Sequence, residues 1–367
     1  MSLIQIPESQ NAAKVGVIDN GARIKGSLSF FVEPPLIDHI EGAAPAFSFL
    51  IENENNRRLI FDLGIRKCYD DYTPFVKEYH RSFKFDPGEE IFDLLDAQGI
   101  ALDTIEGVIW SHHHIDHIGN PRGFHPNTDL IVGPGFKEHM LPGYPTNPGG
   151  FFHESDISGR NLREIDFESE SNGLVIGGFR AIDYFNDGSF YLLETPGHTV
   201  DHISGLARTN VSPPKFILMG ADVGHHAAQW RPSRLAPLPK EISPSPFGSD
   251  HQFNLRLNIC PGEIFEHARL ATASSEPFLR IKAGHPHDVD TARDSLKKVE
   301  AFDADENILV IVAHDYTLLP GLEFFPKSAN EWHHANWKEQ GRWEFLRDLR
   351  DAVEDSANLK PKGHENK

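Results

Sequence analysis

The sequence predicts a layered α/β fold, and three observations carry that expectation. Short β-branched or aromatic runs bounded by Gly, Asn or Pro recur in both halves of the chain. Stretches with apolar residues at helical spacing lie among them, which favours mixed layers over an all-β barrel. The length is 367 residues, 39% hydrophobic and 24% charged, enough for one large domain or two smaller ones with a sizeable core.

Taken in order, the runs "KVGVID", "SLSFFV", "AFSFLIE" and "RRLIFDLG" read as strands separated by turns. "EEIFDLLDAQGI" has helical spacing, with Gly99 placed to end the helix. "IEGVIWSH" is a buried strand running into a histidine cluster. "DLIVGP", "GLVIGGFRAIDYF", "SFYLLETPGH", "ISGLART" and "KFILMGADVG" continue the strand pattern. "DVDTARDSLKKVEAFDADENILVIVAHD" reads as helix, turn and buried strand, with Asp288 or Asp290 available as N-cap. Two segments break the rhythm: the polar, aromatic residues 65–90 and the Pro- and Ser-rich residues 227–280. Loops of that length are uncommon unless functional, so both are expected to wall a pocket, with Trp230, Phe247 and Phe253 among its aromatics. The folded unit is expected over 14–350, with flexible tails at 1–13 and 355–367.

Lys and Arg total 35 against 54 Asp and Glu, a formal net charge of −19. That field repels phosphate backbones and anionic lipid, so neither nucleic acid nor a membrane is expected as partner. Cys68 and Cys260 form no CxxC pattern, which excludes a disulfide framework or a cysteine-based zinc site and suggests two reduced, partly buried thiols. No signal-like start and no run of about 18 apolar residues is present, so a cytoplasmic location is expected.

"SHHHIDHIGN" opens at Ser111 and holds four histidines and an aspartate in six positions, 112 to 117. An extended chain leaving Trp110 would turn His112, His114 and Asp116 to one side and His113 and Ile115 to the other. His117 breaks the alternation, so the chain must turn there, as Gly119, Asn120 and Pro121 allow. The result is two groups, His112 with His114 and Asp116 with His117, suited to two adjacent cations; His113 is the bystander. His198 in "TPGHT", Asp222 in "GADVGHH" and His314 in "VAHD" each follow a strand, so one rim of a sheet can collect them all.

HxHxDH, then PGH, then an Asp and a His after hydrophobic strands resembles the metallo-β-lactamase superfamily over about residues 45–316. The resemblance implies a four-layer αββα sandwich with a dinuclear site at one edge of its sheets. It implies that His112, His114 and His198 bind one metal, that Asp116, His117 and His314 bind the second, and that Asp222 bridges them. Asp62 in "IFDLG" matches an early aspartate that orients the site from behind the ligands. Neutral imidazoles and carboxylates suit two Zn²⁺ ions, with Mn²⁺, Fe²⁺ or Co²⁺ as alternatives. Two cations sharing one water lower its pKa from about 16 to about 7, which supplies a nucleophile for hydrolysis without serine or cysteine.

The pattern looks most like the lactonase-like branch, with N-acyl homoserine lactone lactonases and fungal benzoxazolinone-type lactamases. It implies opening of a small, neutral cyclic ester or amide, with Asp116 carrying the proton to the leaving atom. The sequence departs from that branch where a Tyr commonly stands three residues after the bridging Asp: here it is His225. His225, His226 or Tyr316 is then expected to stabilise the oxyanion. His202, His285 and His287 are expected behind the ligands or at the surface, with His285 a weak rival to His314. The alternatives are a thioester or phosphodiester hydrolase of the same fold, a mononuclear iron dioxygenase of persulfide type, or a non-catalytic metal-bound scaffold. Oligomeric state is left open.

Overall fold

A computed structural model describes residues 2–34, 42–240, 242, 246 and 275–349. Two six-stranded sheets face each other. The first runs, in spatial order, Ala13–Ile18, Ser48–Asn53, Arg58–Phe61, Ile105–Ile109, Asp129–Val132 and Leu162–Glu164. Its first three strands pair antiparallel and the rest parallel. The second runs Val175–Ile176, Phe179–Asp183, Phe190–Glu194, Ile203–Val211, Pro214–Ala221 and Ile308–Val312, antiparallel until its last, parallel pair.

Alternation along these strands explains the layers. Val15, Val17, Phe49 and Phe61 of the first sheet pack against Leu192, Ile217, Met219 and Ile311 of the second. The opposite face of the first sheet, with Ile60 and Val108, is covered by the helices Pro74–Tyr79, Ile91–Ala97 and Phe136–Met140. The outer face of the second, with Leu206 and Leu218, is covered by the helix Val289–Ala304. Asp288 caps that helix, its side chain accepting from the Asp290 and Thr291 amides. The expected αββα sandwich is the observed fold.

Several local expectations change. "SLSFFV" is a 3-10 turn, Leu28–Phe30, followed by a two-residue strand, because the Ser27 hydroxyl accepts from the Ser29 amide and caps the turn. Residues 65–90 are ordered: Thr73 caps a helix with Pro74 in its first turn, and Lys84–Asp86 forms a strand. That strand joins Arg23–Gly26 and Gly42–Ala44 in a separate three-stranded sheet. Trp230 is core rather than pocket wall, 1% exposed and packed with Val223, Leu296 and Phe278. Phe247, Phe253 and Cys260 lie outside the described residues, as do 355–367. Cys68 is exposed rather than partly buried. The chain start is tied down, with the Leu3 amide 2.7 Å from Asp305 Oδ2 and Ile4 buried. Among the described residues no helix is long and apolar enough to cross a membrane.

Candidate metal centre

The site forms where several strands end on one rim. Trp110 and Ser111 extend the Ile105–Ile109 strand, and the Ile203 amide bonds the Ser111 carbonyl, tying the two sheets together there. The extended run stops earlier than expected: Ile115–Ile118 is a single helical turn. That turn swings Asp116 and His117 away from His112 and His114. Gly119 ends it at φ +38, where an added Cβ would lie 2.4 Å from Leu63. His198 sits on the turn after Phe190–Glu194, Asp222 after Pro214–Ala221, and His314 after Ile308–Val312.

These side chains assemble into two groups, each able to hold a metal ion: His112, His114, His198 and Asp222, and Asp116, His117, His314 and Asp222. In the first, His114 Nδ1 is 3.0 Å from both His112 Nε2 and His198 Nε2, and Asp222 Oδ2 is 3.4 Å from His198 Nε2. In the second, Asp222 Oδ1 is 3.1 Å from both His117 Nε2 and His314 Nε2, and Asp116 Oδ2 is 3.2 Å from the latter. Asp222 therefore gives one oxygen to each group. His113 belongs to neither and bonds Asp201 at 2.8 Å instead.

A shell of acceptors sets the imidazole orientations. Asp62 Oδ2 lies 2.7 Å from His117 Nδ1, and its carboxylate accepts from the Ser111 amide and hydroxyl. Asp62 holds a left-handed φ of +60, a backbone that Asp tolerates better than most residues. The Pro45 carbonyl accepts from His314 Nδ1 at 2.7 Å. His202 is buried behind the ligands, where its Nε2 accepts from the Asp222 amide at 3.1 Å.

The electrostatics of the two groups differ. Burial holds His112, His114 and His198 well below an ordinary imidazole pKa, with repulsion among neighbouring histidines adding to it. Burial also opposes charge on His117 and His314, but the carboxylates of Asp222 and Asp116 outweigh it. Joined by Asp62, they raise His117 well above the usual value, and His314 rises to about 10. Asp116 and Asp222, although buried, are held well below the usual carboxylate range by His117 and His314. Burial raises Asp62.

This donor set fits divalent cations: imidazole nitrogens and carboxylate oxygens, with no thiolate. His117 Nε2 and Asp222 Oδ1 are moreover buried without a hydrogen-bond partner, although only 3.1 Å apart.

A cavity of about 270 Å³ opens over both groups. The three-stranded sheet supplies Ile24, Ala44 and Phe85 to its wall, and His80 and Phe83 come from the same 65–90 segment. His225 and Tyr316 line it too. The His225 ring stacks on Phe31 with centroids 4.3 Å apart, and its Nε2 lies 3.2 Å from Asp222 Oδ2. Burial and the Asp348 carboxylate raise the Tyr316 phenol pKa. His226 does not line the cavity: its Nδ1 accepts from the Ala228 amide and its Nε2 meets Asp348. His285 is closer to the chemistry than sequence reasoning placed it, its ligand atom grouped with those of His198 and His225. Only the "GHPHD" spacing hinted at this. Phe31 and the Pro45 carbonyl were missed; no local signal marks either.

Comparison with known proteins follows the same lines. A model of the metallo-beta-lactamase superfamily matches residues 42–209. Gamma-lactamase FDB1 of Fusarium pseudograminearum is 39% identical over 358 residues, covering 94% of this chain and 84% of that protein. Metallo-hydrolase mfmC of Annulohypoxylon moriforme is 39% identical over 354 residues, covering 95% and 90%. A crystal structure of a B. thuringiensis AiiA mutant with N-decanoyl-L-homoserine bound at the active site superposes with a TM-score of 0.55. At 16% identity, over 88% of this chain and 100% of that one, the likeness is one of fold. The motifs, the sandwich, the converging ligand set and these relatives agree: the chain belongs to the metallo-β-lactamase superfamily.

Proposed function

We propose that this superfamily member is a dinuclear metal-dependent hydrolase that opens a small lactam ring, with lactones as secondary substrates. The observation that carries the reading is Asp222, whose two oxygens each complete a separate set of imidazole donors below one apolar-walled cavity. The preference for a lactam rests on the similarity to a fungal γ-lactamase.

His112, His114 and His198 would hold one ion and Asp116, His117 and His314 the other, zinc being the metal best suited to these donors. Ions held there would supply Lewis-acid chemistry, activating water and polarising the scissile carbonyl. The protein does the rest. Asp62 and the Pro45 carbonyl occupy the Nδ1 atoms of His117 and His314, which aims Nε2 of each ring at the cluster. The aromatic wall keeps bulk water from the ring. The His225 imidazole, with a buried Nε2 that has no hydrogen-bond partner, serves as donor to the developing oxyanion. Tyr316 lines the other side as a neutral phenol. Asp116 carries the proton to the leaving atom as the acyl C–N (or C–O) bond breaks and the water oxygen bonds to the acyl carbon. The product is a carboxylic acid with a free amine or alcohol.

The test is acid release in weakly buffered solution from a panel of lactams, including benzoxazolinone, and γ-lactones, using zinc-reconstituted protein. Ring opening that a chelator abolishes and zinc restores, with two zinc ions per chain by elemental analysis, is the expected result. Rings that stay intact under saturating zinc would overturn the reading. So would one iron per chain with oxygen consumption.

A further inference from the structure

Three histidine features remain unexplained by the metal centre: His113 within the motif, and His285 and His287 of "GHPHD". All three meet in one place. A second cavity, of about 290 Å³, lies beside the first, and Tyr79, His114, His198 and His285 line both. Beyond that shared wall it is lined by His113, His139, Thr199 and His287, with Met140, Phe151, Val200 and Pro286 between them. Six of its twelve lining residues are histidines, against aromatic and aliphatic side chains over much of the first cavity.

The local structure holds this wall in place. The His287 amide bonds the His198 carbonyl at 2.9 Å, and the Asp288 amide bonds the Gly197 carbonyl at 3.0 Å. Gly197 permits that approach: at φ +122, an added Cβ would lie 2.2 Å from the Ala292 amide nitrogen. The bystander ring of His113 is anchored through Nδ1 by the buried Asp201. His285 stands edge-on to Phe31, centroids 4.5 Å apart, and its Nε2 is buried without a hydrogen-bond partner. His139 and His287 are exposed at the mouth, while His113, His198 and Thr199 are buried deeper.

We propose that this second cavity is a polar subsite of the same active site, taking an oxygen-bearing substituent of the substrate, a carboxylate or a hydroxyl. Imidazoles offer both donors and acceptors, and an orphaned ring nitrogen is costly to bury unless something bonds it. The apolar part of the substrate then sits in the aromatic cavity, with the scissile ring over Asp222 and the polar substituent past His285. The substrate class is thus a small ring carrying a hydrogen-bonding group on the side facing His139 and His287.

The assignment rests on the ring-opening reading, and a binding measurement separates the two. Zinc-loaded protein is titrated calorimetrically with benzoate, 3-hydroxybenzoate and isophthalate, which differ only in the second oxygen-bearing group. At least one of the latter two is expected to bind about tenfold more tightly than benzoate, and which one does so distinguishes hydroxyl from carboxylate. In the H139F/H287F double variant that advantage falls to less than about twofold while benzoate affinity is unchanged. Both residues are exposed, so the variant folds. Equal affinities for all three acids, or an advantage that survives the double variant, overturns the subsite. If the acids separate as expected but no ring opens, the hydrolase reading fails alone. If rings open and the acids do not separate, the subsite fails alone.

Discussion

Two buried charged clusters, one behind the second sheet and one at its rim, are built on opposite terms. Behind it, Asp303 meets Arg231 through both oxygens, at 3.0 and 2.6 Å, and Arg231 Nη1 donates to the Arg342 carbonyl. Lys338 adds two bonds, to the carbonyls of Asp305 and Ile308, at 2.5 Å each. Every nitrogen of Arg231 is occupied. At the rim, by contrast, His117 Nε2, Asp222 Oδ1, His225 Nε2 and His285 Nε2 are buried and have no hydrogen bond. Around Arg231 the buried charge is closed on its own partners, whereas at the rim open donors and acceptors converge on one point, as a functional site requires.

The contrast can be broken by exchanging what each cluster has. Asp222→Asn replaces one bridging oxygen with an amide nitrogen, so one donor group is incomplete. Ring-opening activity is expected to fall about 10³-fold or more, with bound zinc below two per chain by elemental analysis. Arg231→Met leaves Asp303 buried and unpaired, and urea denaturation should show a loss of about 3–5 kcal/mol while zinc content is kept. A further Asp303→Leu change should recover most of that loss. If instead Arg231→Met spares stability and empties the metal centre, the two clusters are not independent.

Lys338 gives a pH signature. Burial lowers its pKa from 10.5 to about 8. Below pH 8 both folded and unfolded chains carry the proton, and the folded state bears the full penalty. Between pH 8 and 10.5 the unfolded chain binds more protons, so this group makes stability rise with pH, by about 3 kcal/mol in total. Lys338→Met should flatten that rise in denaturation curves taken across the window. The smallest effect is expected for Asp62→Asn. Asn tolerates the left-handed backbone at that position but loses the carboxylate that orients His117, so chelator competition should show zinc held about 10–100-fold more weakly.

The candidate ligand set was legible because each member ends a strand or occupies a short motif, and strand ends on one rim are brought together by topology. His112, His114, His198, Asp222 and His314 needed only that argument and the family pattern. What was hidden depends on pairing between distant segments. The small sheet joins residues 23–26, 42–44 and 84–86, none of which looks like a partner of the others in sequence. His285 reaches the site because backbone bonds pin its loop to the Gly197–His198 turn, which no composition reveals. Trp230 misled in the other direction. It sits beside a Pro- and Ser-rich stretch that resembles a pocket wall, yet it fills the core with the Arg231 guanidinium 5.5 Å from its ring.

The small sheet has a consequence for descent as well as for binding. Its strands bond to one another and bring Ile24, Ala44 and Phe85 to the cavity, while none of the candidate ligands lies on them. Under the hydrolase reading, the residues that would hold the metals and this part of the wall that would meet the target lie on separate stretches of chain. A lineage could recut Ile24, Ala44 or Phe85 for a new ring while the candidate metal-holding rim passes down unaltered.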